Sequence, residues 1–162
     1  AFERALYVEP GWSVARTNFA DFLREEGDDA RGERILREGL ELDPDDAMLH
    51  HALGLLLVRN DRETEALESL AAAAALDTAN PRFSYVLGVA LNSLGRSDEA
   101  VSTLADAYAR HPGSFDIAWA YATILRDRGD IAAATAVVDT MRERFPASRE
   151  VASLAEQLAA EP

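Results

Sequence analysis

Prolines stand at positions 10, 44, 112 and 146, with Thr78 in the one vacant place, so the chain repeats itself every 34 residues (44 minus 10). A period of that length is the mark of a repeat architecture and constrains the fold more than any composition figure. Three further series share the step: Gly27, Asp61, Gly95 and Gly129; the small residues Gly32, Ala66, Ala100 and Ala134; and Leu23, Leu57, Leu91 and Leu125.

Within one period the pattern spells two antiparallel helices. In the second period the first helix is predicted from Ala47 to about Asn60, opened by a carboxylate that accepts from unpaired backbone N–H groups. The turn that closes it carries Asp61 here and glycine in the other three periods, where a left-handed residue ends a helix without steric cost. A second helix follows over Glu63 to Leu76, and the proline falls just past its end. Each period is therefore a helical hairpin.

How hairpins stack is also legible. Ala20, Gly54, Gly88 and Ala122 fall in mid-helix on successive first helices, and the Gly32 to Ala134 series falls near the start of the second helices, residues small enough to let helix backbones approach closely. Phe19, Leu53, Leu87 and Tyr121, with Leu36, Leu70, Leu104 and Val138, fill the space between hairpins. One hairpin cannot bury such a surface alone, whereas stacked neighbours can.

These residues resemble the tetratricopeptide repeat family. Leu53-Gly54, Leu57, Ala66, Leu70 and Ala73 match its pattern in the second period, as do Leu87-Gly88, Leu91, Ala100, Leu104, Ala107 and Pro112 in the third. The departures are Arg16, His50, Ser84 and Ala118 where the family has its first aromatic residue, and Gly39 and Met141 where alanine is usual. The resemblance implies an all-α fold, a right-handed α-solenoid of helix-turn-helix hairpins with a C-terminal capping helix. The expected organisation is one solenoid domain over 1–162: the second helix of a truncated repeat in 1–12, full repeats at 13–46, 47–80, 81–114 and 115–148, and a capping helix in 149–162 with Val151, Leu154 and Leu158 on one face. The opening residues, already in helical periodicity and without an initiating Met, read as a cut through a longer protein. Phe2, Leu6 and their neighbours are then expected to be covered by an upstream repeat or to self-associate with another copy.

Composition removes several function classes. A net charge of -13 disfavours a phosphate-backbone partner, because non-specific nucleic-acid binding rests on a basic surface. With no cysteine there is no disulfide, thiolate zinc site or cysteine nucleophile, and the compartment stays open. All 16 basic residues are arginine, which suits a GC-rich, bacterial genome. The longest apolar run, Ala47 to Val58, is too short and too polar at His50 and His51 for membrane insertion, which takes about 20 apolar residues. His50, His51 and His111 offer no third ligand at a one-face spacing, and the acidic clusters at 25–29 and 43–46 read as helix starts, so neither a metal nor a catalytic site is expected. No phosphate loop, dinucleotide fingerprint or nucleophile elbow occurs, and no cofactor is implied.

The resemblance places the functional surface on a concave groove lined by the first helices. Met48, His51, Leu55 and Val58 are spaced three, four and three and share one helix face. Repeat equivalents add Arg82, Tyr85 and Val89, then Trp119, Thr123 and Arg126, with Arg59 close by. His51, Tyr85 and Trp119 recur at one repeat position and are expected to form a ladder. Aromatic anchors with arginine are the residue types enriched in binding hot spots, so the expected function is a non-catalytic scaffold for a protein or peptide. The groove positions do not match the Lys, Asn and Arg set that clamps a terminal carboxylate in one subclass. An alternative is an assembly region packed on a catalytic or multihaem electron-transfer domain, because the stretch Phe19 to Asn60 is similar to repeats that follow multihaem regions in bacterial proteins.

Overall fold

In the computed structural model, which describes residues 2–160, ten helices succeed one another among the described residues, with no strand. They are α1 (Phe2–Val8), α2 (Ser13–Glu25), α3 (Asp29–Leu42), α4 (Ala47–Arg59), α5 (Glu63–Leu76), α6 (Pro81–Ser93), α7 (Ser97–Arg110), α8 (Phe115–Asp127), α9 (Ile131–Arg144) and α10 (Arg149–Ala160). The chain gathers into two compact units, 1–83 and 84–162, with the break inside the first turn of α6.

The tight turns inside the hairpins share one hydrogen-bond device. After α2, Gly27 N–H donates to the Arg24 carbonyl at 3.0 Å and Asp28 N–H to the Leu23 carbonyl at 2.8 Å. The same pair recurs after α4 with Asp61 and Arg62, after α6 with Gly95 and Arg96, and after α8 with Gly129 and Asp130. This pair of hydrogen bonds satisfies two carbonyls that a helix end leaves unpaired, and it requires a left-handed residue at the turn. The φ values are 78, 75 and 83° at Gly27, Gly95 and Gly129, and 56° at Asp61. The leucine and glycine series of the sequence are thus two parts of one motif, since Leu23, Leu57, Leu91 and Leu125 supply the outer acceptors.

In the unit 1–83, α2 pairs with α3 and α4 with α5. Leu36, Leu49, Leu53, Leu56, Leu57 and Ala66 form its main core. A smaller cluster of Phe19, Leu23 and Ile35 is covered by Phe2 and Leu6 of α1, with Phe2 stacked on Phe19 at 5.2 Å. Asp46 caps α4 by accepting from Leu49 N–H at 2.9 Å, and its carboxylate also accepts from the Ser13 hydroxyl, which ties the start of α2 to that of α4. In the unit 84–162, α8, α9 and α10 enclose Ala122, Leu125, Ala134, Val138, Met141, Val151, Leu154 and Leu158. The three apolar residues assigned to one face of the last helix are all buried.

The small-residue positions divide into two kinds. A Cβ on Gly54 would lie 2.7 Å from Cγ and Cδ2 of Leu70, and one on Gly88 would lie 2.5 Å from Cγ of Leu104, so these glycines are seats for the leucine of the paired helix. A Cβ on Gly32 would meet nothing nearer than Leu56 Cδ1 at 3.4 Å, an ordinary contact. Its repeat equivalents are fully buried alanines at 66, 100 and 134. Gly32→Ala is therefore expected to stabilise the protein by about 0.5–1 kcal/mol, the cost of glycine inside a helix. Chemical denaturation with helicity as readout checks this, and a loss of stability would show that the site is tighter than its geometry.

Candidate functional site

Between α2 and α4, and closed by the start of α6, the unit 1–83 carries a pocket of about 260 Å³. Ala20, Leu36, Ala52, Leu55 and Leu56 form its apolar wall, Met48 and Thr17 one side, and Asp21, Arg59 and Arg82 its charged edge. It arises because Ala20 and Ala52 are too small to fill the space between two helices whose larger residues point into the core. Five of the expected groove residues, Met48, His51, Leu55, Arg59 and Arg82, line it together. Met48 and Val58 are 43% and 41% exposed, so this face presents apolar surface to solvent.

Two expectations about these side chains change. His51 is not a surface contact: only 8% of it is exposed, and its ring lies 4.8 Å from Phe83. Neither ring nitrogen has a hydrogen-bond partner. Burial first, and the nearby Arg82 guanidinium second, push its pKa down to about 4, which keeps the imidazole neutral. Secondly, the ring of Trp119 does not stack with Tyr85. Its partner is Phe115, 5.9 Å away and nearly parallel, with Phe145 edge-on to Phe115. Helix axes pack 8–10 Å apart, roughly, whereas residues four apart on one helix are neighbours, so a ring closes on the nearer aromatic. Two of the arginines also make contacts within the chain. Arg59 pairs with Asp29 at 3.2 Å, and Arg126 with Asp127 at 2.7 Å and Gln157 at 3.0 Å.

On the unit 84–162, Val89 is exposed, while Tyr85, Trp119, Thr123 and Arg126 are half-buried. The Thr123 hydroxyl donates back to the Trp119 carbonyl at 2.9 Å. The residue that sequence reasoning overlooked is Phe83, which holds His51 in place. Its signal lay in the series Ala15, Leu49, Phe83 and Ile117, all apolar at one repeat position and all buried. Of the other histidines, His50 bonds through Nε2 to the Pro44 carbonyl at 2.8 Å. Among the described residues no three His, Asp or Glu side chains converge as a metal site would require, and no helix is long and apolar enough to cross a membrane.

Stacked helical hairpins with a left-handed turn in each, small residues seating the leucine of the next helix, and an apolar pocket on the first-helix face define an α-helical repeat protein. The family model described as tetratricopeptide repeat matches residues 5–144, and the chain belongs to that family. Its members are generally non-catalytic scaffolds. Among solved structures it is similar to YrrB, described as a TPR protein with an unusual peptide-binding site (21% identity, TM-score 0.75, covering 99% of this chain and 82% of that one). It is also similar to pilF of Pseudomonas aeruginosa (20%, 0.77, 98% and 72%) and to MamA (20%, 0.71, 88% and 78%). At these identities the likeness is one of fold. No curated protein matches the sequence.

Proposed function

We propose that this chain is a non-catalytic interaction module that takes a peptide or helix of a protein partner on the first-helix faces of its repeats. The observation that carries this reading is the pocket on the unit 1–83, where apolar Leu55 and Leu56 meet exposed Met48 beside Arg59 and Arg82. A preformed apolar recess with a few charged groups at its edge suits one anchoring side chain, and a rigid helical frame lets it bind with little ordering cost. The peptide-binding description of YrrB supports the reading by analogy of fold alone. On the second unit Tyr85, Val89, Trp119, Thr123 and Arg126 are the proposed contacts.

Panning a random peptide library against the chain tests it. Met48→Asp with Val58→Asp is expected to cut retention of the enriched peptides at least about tenfold, equivalent to about 1.4 kcal/mol. Both side chains are exposed, so helicity and melting are expected to stay unchanged. Retention equal to that of the parent chain would sink the proposal. A second reading, packing on another domain or another copy, is favoured by α1, where Tyr7 and Val8 are 87% and 76% exposed.

A further inference from the structure

An imidazole buried with both nitrogens unpaired is unusual, because an unsatisfied buried polar group costs about 1–3 kcal/mol. His51 sits in that state with one face on Phe83 and another side on an unfilled 260 Å³ pocket. The groups facing that pocket are Asp21 from α2, Arg59 from α4 and Arg82 from the start of α6, while α3 contributes only Leu36. Asp21 is thus the one carboxylate at the pocket, and its own pairing, with Arg24 at 3.6 Å, is loose and exposed. A protonated ring is repelled by Arg82 and has no acceptor where it lies. The space, and the acceptor, are both on the pocket side.

We infer that His51 is an acid-released pin: on protonation its ring leaves Phe83 and swings into the pocket towards Asp21, filling the recess with the protein's own side chain. The pocket is then open at neutral pH and closed in acid, whether or not a partner uses it. In the closed-in position against Phe83 the ring titrates at about 4, and a solvated ring titrates near 6.5. The swung-out form binds the proton more tightly, so its population rises as pH falls below about 6.5 and stops rising below about 4. Between about pH 7.5 and about pH 5 the ratio of swung-out to pinned forms is expected to grow at least about 30-fold, the factor for a solvated ring, to which the Asp21 carboxylate adds.

NMR relaxation dispersion on the Phe83 ring, with the His51–Phe83 cross-peak, reads this population in the intact chain. The expected result is a rise of at least about 30-fold in the parent, none in His51→Leu, which keeps the bulk without the proton, and a smaller rise in Asp21→Asn, which removes the negative charge that would hold the imidazolium. Far-UV ellipticity is expected to hold across the range. An unchanged Phe83 population overturns the inference, as does a rise that persists in His51→Leu, or loss of ellipticity in step with the His51 titration.

Discussion

Leu70→Ala is expected to lower the stability of the unit 1–83 by about 3 kcal/mol, because a fully buried leucine leaves both its transfer energy and a cavity behind. Gly54→Ala is expected to cost about 1–2 kcal/mol, even though alanine is the better helix former, because its methyl lands 2.7 Å from Leu70 Cγ and 3.2 Å from the Ala66 carbonyl. The informative result is the double variant. With Leu70 cut to alanine, the methyl at position 54 enters vacated space, so the pair is expected to cost less than the two losses added. Guanidinium unfolding of the four proteins followed by circular dichroism measures the coupling. Strict additivity would mean that Gly54 is not the seat of Leu70. The opposite signs expected at Gly54 and Gly32 come from the same methyl group added inside an α-helix, and what differs is the surface it meets.

The second large effect belongs to Arg16. Its side chain is buried, 5% of the residue being exposed, and its guanidinium donates from Nε to the Pro10 carbonyl at 2.9 Å and from Nη1 to the Ile35 carbonyl at 2.7 Å, with the Glu38 carboxylate 3.7 Å away. The side chain passes over Gly39, where a Cβ would lie 2.6 Å from Arg16 Cδ and 2.7 Å from Leu49 Cδ1. Two departures from the family pattern, arginine for an aromatic residue and glycine for alanine, are therefore one feature: the arginine fits because the alanine is missing. Arg16→Ala is expected to cost about 3 kcal/mol through lost packing and charge-assisted hydrogen bonds, and Arg16→Met clearly less, since an unbranched apolar chain fills the same path. Gly39→Ala is expected to destabilise the parent by about 2 kcal/mol but to cost much less in the Arg16→Ala background, where only Leu49 has to turn aside. Equal costs in the two backgrounds would separate the residues.

Much of the fold is readable in the repeat itself. Each left-handed turn needs a glycine or a tolerant aspartate, each seat needs a small residue, and each hairpin needs both at fixed offsets, so a 34-residue step in four series specifies the hairpins. Those requirements are local, or act between helices adjacent in sequence. The span Glu63–Leu76 of α5 follows for that reason, as does the buried face of α10.

The candidate site was readable only as a list of positions on one helix face. Spacing puts Met48, His51, Leu55 and Val58 side by side, but it does not say how deep each one lies. Depth depends on what arrives opposite: Phe83, from the next helix pair, takes His51 out of solvent, while small Ala20 and Ala52 leave room beside it. Gly32, Gly39 and Gly54 look alike in the sequence, yet one faces ordinary contact distance, one an arginine stem and one a leucine. Repetition by itself determined the family, the helices and their turns, because backbone sterics and hairpin stacking act through neighbours in the chain. Tertiary structure alone decided which side chain is a seat, a pin or a surface contact, because burial is a property of the space between helices and no single helix carries it.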